Sequence, residues 1–287
     1  MEKYTIAKID FLNALKSFSS SISEQIAKGG EWDIRGFIDI FKNVYPMSAD
    51  TKIVSKVLEL HLFPFFLRFA QQIGYTIELA KHQNYYPDLT FISVENPDIK
   101  FAVDLKTTYR LPDAPDFCNG FTLGSHGVYF LERNSTKNIQ YPYSAYSGHF
   151  CFGIIYSRIN THEIDETKRY TIEEIDQIPA ILNDFLFFAE EKWKIASDKR
   201  GSGNTANIGS IQKISDILSG NGVFAKAGEE HFDDYWCNYE RMTVKDLRTG
   251  MPKPLTSFAE YLEFRGLDSQ LNNPKASVRK GGNSHER

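Results

Sequence analysis

Apolar residues recur along this chain with two different periods, and the changes of period divide it into segments. Near the N-terminus Ile6, Ile9, Leu12 and Leu15 return every third residue. That spacing predicts a helix with one apolar stripe, ended by the serine cluster of 19–23. Residues 50–72 predict a second helix, with Ser48 or Asp50 as its N-cap and Gly74 where a C′ glycine belongs. Pro64 is expected to kink or break it. A strand-rich block follows at 75–79 and 89–94, and Glu95-Asn96-Pro97-Asp98 is turn chemistry. Residues 99–109 read as one long strand. Phe101, Val103 and Leu105 point to one side, a core face, while Ala102, Asp104 and Lys106 point to the other.

Further along, 111–119 carries two prolines and reads as a loop, and 151–159 as a buried strand. Segments 171–176, 181–193, 210–218, 229–241 and 258–264 read as helices, and 199–210 as a Gly/Asn/Ser loop. Helices and strands without regular βαβ alternation predict an α/β (α+β) domain around one sheet. It is expected to span residues 1–268, with 269–287 a disordered, basic C-terminal tail.

Composition narrows the function classes. Hydrophobic residues make up 41% and charged residues 24%, an ordinary globular balance that excludes wholesale disorder. The net charge is −4, so nucleic-acid binding would have to rest on local basic patches. Lys192, Lys194, Lys199 and Arg200 form one such cluster, Arg133 and Lys137 another. Cys118, Cys151 and Cys237 form no C-x-x-C pair, which disfavours a zinc ribbon and a disulfide scaffold and points to the reducing cytoplasm. The longest apolar stretch, 58–70, is interrupted by His61, Pro64 and Arg68, and the N-terminus lacks an apolar h-region. Neither a membrane span nor a signal peptide is expected.

The sharpest chemistry is Pro87-Asp88 followed by Asp104-Leu105-Lys106. If the two strands pair, both carboxylates converge at one corner of the sheet. Two close carboxylates repel and favour a divalent cation between them, and hard oxygen donors select Mg²⁺ or Mn²⁺ over Zn²⁺. Lys106 shares a face with Asp104 and can reach a phosphate or an attacking water. Together these parts suit phosphodiester hydrolysis. Asp88 as a strand-start cap, with Asp104 and Lys106 as an exposed ion pair, remains the plainer alternative at this point.

Longer blocks widen the comparison. They include Ser48-Ala49-Asp50-Thr51-Lys52, Gln83-Asn84-Tyr85-Tyr86-Pro87-Asp88, Val103 through Tyr109, Asn134 through Ile139, Gly201 through Ser210 and Asp234 through Arg241. In these blocks the chain resembles type II restriction endonucleases of the PD-(D/E)xK superfamily, over roughly the first 245 residues. The resemblance implies a restriction-endonuclease-like fold, a central mixed β-sheet flanked by helices. It implies that Asp88 and Asp104 hold Mg²⁺ (Mn²⁺ may substitute), that the Leu105 carbonyl helps coordinate it, and that Lys106 is the catalytic lysine. Glu59 would be an additional acidic residue, holding a second metal or shaping the site.

The resemblance further implies a major-groove recognition loop at Gly201, Ser202, Gly203, Asn204, Thr205 and Ala206. Glycines allow close backbone approach, and Asn204 suits adenine N6 and N7. A dinucleotide-phosphate loop is the competing reading of Gly201-x-Gly203-x-x-Ala206, disfavoured because 197–200 does not read as a buried strand. Asn84 would belong to a minor-groove loop in which His82 stands where glutamine is expected. Lys52, Thr108, Tyr109 and Lys137 would contact phosphates. Cys237 stands where a basic residue is expected. A homodimer acting on palindromic double-stranded DNA follows, with GATATC cut to blunt, 5′-phosphate ends, and a cognate DNA methyltransferase as functional companion. A nicking or repair nuclease of the same superfamily, or an inactive sequence-specific DNA-binding protein, are the alternatives.

Overall fold

The computed structural model describes residues 2–82, 84–159, 165–202 and 206–273. The first half contains α1 (Glu2–Ser21), α2 (Ser23–Ile26), β1 (Ala27–Lys28), β2 (Glu31–Trp32), β3 (Gly36–Ile38), β4 (Val44–Pro46), α3 (Thr51–Gln72), β5 (Tyr75–Leu79), β6 (Leu89–Ser93), β7 (Lys100–Leu111), β8 (Ala114–Cys118), β9 (Thr122–Ser125) and α4 (Val128–Leu131). The second contains β10 (Gly148–Arg158), β11 (Leu182–Glu191), β12 (Ala196–Arg200), β13 (Asn207–Ser210), α5 (Ile214–Leu218), α6 (Glu229–Asn238), β14 (Thr243–Lys245), β15 (Pro252–Pro254) and α7 (Phe258–Arg265).

The main sheet is mixed. Its strands run in the order β1-β2-β11-β10-β7-β6-β5, with β8 added on β7. The central pair β7 and β10 is parallel, and β6–β7 and β10–β11 are antiparallel. A parallel pair needs cover on both faces, and both are covered. Phe101, Val103 and Leu105 of β7 pack with Phe11 of α1 and with Leu58 and Phe66 of α3. Ala102, one step out of phase, packs with Cys151, Ile155, Phe188, Trp236 and Phe258 in a second core. The face of β7 that carries Asp104 is therefore buried as well.

Several expectations need correcting. Residues 181–193 are not a helix: 182–191 form strand β11. Phe187 and Ala189 enter one core and Phe188 the other, so its period is 2. Residues 114–118, expected in a loop, pair with β7, with Pro115 on this outer strand. Helix α3 runs unbroken through Pro64, held by its buried face of Leu58, Leu62, Phe66 and Phe69. Asp50 rather than Ser48 caps it, accepting from the Lys52 and Ile53 amides. In α1, Leu12 and Leu15 are buried, but Ile6 and Ile9 are each 54% exposed. A strict three-residue spacing slips back about 60° per step on a 3.6-residue helix, so Ile6 lies opposite Leu15. Residues 269–273 fall in the expected tail, yet a 3-10 turn forms at Ser269–Leu271 and the Asn273 carboxamide donates to the carbonyl of Asn221. The residues beyond 273 lie outside the described set.

Candidate active site

The register of β6 on β7 brings the two acids together. Leu89 pairs with Val103, so Asp88 stands one step further along, opposite Asp104. The Asp88 carboxylate is pinned there by the backbone: its Oδ2 accepts from the Leu105 N–H at 2.8 Å. Asp104 is 7% exposed, which removes the reading of an exposed ion pair.

The Lys106 ammonium sits among three oxygens. It lies 2.6 Å from Asp104 Oδ2 and 3.7 Å from Asp88 Oδ2, and donates to the Leu105 carbonyl at 3.4 Å. These are the oxygens expected to hold a divalent cation, and the Lys106 ammonium converges on the same three. Hard oxygens converging on one positive charge fit Mg²⁺ or Mn²⁺. Burial, and then the charge of Asp104, pushes the Asp88 carboxyl up to about 7. Burial works against the Lys106 ammonium, but the charges of Asp104 and Asp88 outweigh it and hold its pKa above the usual lysine range.

Three adjoining clefts share Asp88. The first, about 830 Å³, is lined by Lys52, Lys56, Glu59, His82 and Asp88. The second, about 370 Å³, includes Glu59, Asp88, Lys106, Thr108, Tyr109 and Ser202. The third, about 630 Å³, includes Asn84, Asp88, Asp104, Lys106, Lys137 and Ala206. Glu59 thus faces the cleft, but its carboxylate pairs with Lys56 at 2.7 Å. No cluster of three or more His, Cys, Asp or Glu suited to a metal occurs among the described residues.

Gly203, Asn204 and Thr205, expected in a recognition loop, and Gln83 beside Asn84 lie outside the described residues. The flanks of the loop are described. The Gly201 N–H donates to the Asn207 carbonyl at 2.9 Å, and the His126 N–H donates to the Ala206 carbonyl at 2.8 Å. Residues 196–200 are a strand after all, paired with β13 rather than leading into a helix. A dinucleotide fingerprint needs a helix there, and strand β13 follows instead, so the phosphate-loop reading falls.

The expected basic clusters are largely consumed internally. Lys194 pairs with Glu191, Arg133 with Asp233 and Arg200 with Glu240, while Lys199 donates to the Thr256 carbonyl. Lys192 is buried. Of those clusters Lys137 does line a cleft, together with Lys52, Lys56 and Lys106. Cys237 is half-buried, and its thiol pKa is raised chiefly by burial.

One part of the site escaped the sequence. Tyr86, Tyr129, Tyr143 and His149 stack under the Asp88 arm, with His149 and Tyr143 centroids 3.7 Å apart and the Tyr86 hydroxyl 2.9 Å from His149 Nδ1. Burial holds His149 far below its usual pKa, hence neutral. Of this group only Tyr86, adjoining Pro87-Asp88, carried a signal in the sequence.

The profile of a family described as Restriction endonuclease EcoRV matches residues 28–266, past the last block quoted above. Type II restriction enzyme EcoRV of Escherichia coli is 40% identical over 237 residues, covering 82% of this chain and 93% of that protein.

Proposed function

The chain belongs to the EcoRV family of type II restriction endonucleases, and from that premise we propose that it is a homodimeric, Mg²⁺-dependent enzyme that cuts GATATC to blunt ends. The observation that carries this reading is the Lys106 ammonium held between Asp88, Asp104 and the Leu105 carbonyl, in clefts that also reach Ser202 and Ala206. These oxygens would hold the ion, with Mn²⁺ able to substitute, and the bound ion would polarise the phosphoryl oxygen and acidify a water. Asp88, tethered to the Leu105 amide, orients the donor set. Lys106, moved off the carboxylates, would offset charge developing on the phosphate and orient the attacking water by donating a hydrogen bond to it. The products are 5′-phosphate and 3′-hydroxyl ends. Glu59 shapes the cleft wall, restrained by Lys56.

Lys52, Thr108, Tyr109 and Lys137 line the clefts and would fix the phosphate backbone. Gly201 to Ala206 would read the major groove, with Asn204 on adenine, and Asn84 would approach from the minor-groove side. A palindrome calls for a two-fold protein. The hairpin β3–β4 supports a second copy as its partner: Phe37, Ile38, Ile40, Phe41 and Tyr45 are 50%, 60%, 90%, 79% and 42% exposed. No helix among the described residues is long and apolar enough to cross a membrane. A cytoplasmic enzyme with a companion methyltransferase protecting host DNA is the setting this reading implies.

The test is digestion of sequenced, unmethylated DNA with Mg²⁺, followed by sequencing of every end. Blunt ends confined to GATATC are expected. Cuts at another palindrome would overturn the specificity, and cleavage surviving Asp104→Ala would overturn the site.

A further inference from the structure

Lys192 is the anomaly of this molecule. It follows β11, is 4% exposed, and its Nζ has no hydrogen-bond partner among the described residues. Its neighbours in sequence give their charge elsewhere: Glu190 to Lys16, and Glu191 to Lys8 and Lys194, each at 2.6 Å. An unpaired buried ammonium costs several kcal/mol unless something offsets it, and an apolar isostere is ordinarily tolerated better. Burial pulls its pKa down to about 8, with Asp104 and Asp233 acting the other way, so it stays charged at neutral pH.

Its surroundings say what retains it. Nζ lies 5.4 Å from the centroids of Tyr86 and Phe130 and 6.0 Å from that of Tyr143. These are the distances at which a desolvated cation is held by ring faces. Tyr86 leads directly through Pro87 into Asp88. Toward the cleft, Nζ lies 3.4 Å from where a Cβ on Gly124 would stand, and the Tyr129 hydroxyl lies 3.3 Å from that same point. Gly124 lines the cleft that contains Asp88, Asp104 and Lys106. The buried ammonium thus packs directly against Gly124, a residue that lines the catalytic cleft.

We infer that Lys192 is a positioning residue for phosphodiester cleavage: its ammonium seats the Tyr86 ring, and with it the Asp88 arm, and places a fixed positive charge behind the pocket at Gly124. This rests on the assignment of Asp88 and Asp104 made above. Nothing in the inference requires Lys192 to touch DNA.

The test compares wild type, Lys192→Met, Lys192→Arg and Asp104→Ala on a duplex carrying the cleavage site. Lys192→Met keeps the length and apolar stem and removes the charge. It is expected to unfold at the same or a higher temperature, yet to lose at least about tenfold in kcat with KM within about threefold. Opposite signs for stability and turnover are what a merely structural lysine would not give. Lys192→Arg keeps the charge and is expected to recover part of the turnover. Full kcat in Lys192→Met, or an equal loss of folded protein and activity, would overturn the inference. If Asp104→Ala still cleaves, the active-site assignment has failed; if only Lys192→Met behaves as wild type, the assignment stands and the role of Lys192 falls.

Discussion

Replacing Lys106 by Met tests the electrostatics of the candidate site directly. The ammonium bridges Asp104 at 2.6 Å and Asp88 at 3.7 Å. Its side chain is 23% exposed, and those of Asp104 and Asp88 are 10% and 30% exposed. Removing one partner of a buried pair typically costs about 3–5 kcal/mol. The cost here belongs at the lower end, about 3 kcal/mol, because Asp88 is partly exposed and titrates near 7, so it can take up a proton instead of staying charged. At roughly 2–4 °C per kcal/mol for a domain of this size, metal-free Lys106→Met should melt about 6–12 °C below wild type. A divalent cation should reverse the deficit, since it supplies the missing charge to the same oxygens. At about a hundred times its dissociation constant a ligand contributes about 2.7 kcal/mol. The assay is thermal unfolding in chelator and across a Ca²⁺ or Mg²⁺ titration, with cleavage measured in parallel. Lys106→Met should gain more from the ion than wild type does, while remaining inactive. Equal ion-induced shifts in the two proteins would show that Lys106 and the cation do not share a site.

Other outcomes follow from the same geometry. Asp104→Ala should leave metal-free DNA binding in place and cost more than the roughly 10–100-fold typical of an outer-shell partner, measured as single-turnover cleavage. The folded pKa of Asp88 is raised, so its stabilising contribution is complete below the unfolded carboxylate range and is lost as pH rises through about 7. The stability difference between metal-free wild type and Asp88→Asn, followed by urea unfolding, should therefore shift against wild type between about pH 4 and 7. Over the same interval metal binding should release protons and tighten with rising pH, which calorimetry in two buffers would detect. Tyr235→Phe removes the hydroxyl that donates to the Asp198 carbonyl at 2.8 Å on β12, the strand that leads into the proposed recognition loop. It should cost about 1 kcal/mol and increase cutting at near-cognate sites, read by end sequencing. Ile40→Asp combined with Phe41→Asp should yield monomers in sedimentation without lowering the melting temperature of the protomer; a persistent dimer would move the two-fold interface away from the β3–β4 hairpin.

Local chemistry was legible in the linear order of residues. Asp50 and Gly74 mark the ends of α3, and the alternation around Asp104 gives β7 its two faces. The spacing of Asp88 and of Asp104-Leu105-Lys106 needs only strand pairing to become a cation site, and Leu89 opposite Val103 supplies it. Resemblance extended this to the loop flanks at Ser202 and Ala206, which line the same clefts. Each of these properties depends on neighbours in sequence or on one strand partner.

Long-range packing decided the rest. Residues 182–191 carry a run of apolar residues too continuous to show a period until two cores claim alternate side chains. The lysines and arginines formed two basic clusters on paper, but acids from distant segments neutralise an arginine in each: Glu240 meets Arg200 and Asp233 meets Arg133. Lys192 is the sharpest case. Sequence alone places it with the other cations beside the loop, because charge is a property of the residue. Burial, the three rings around its ammonium and the close approach to Gly124 are properties of the packed molecule, and only they set it apart.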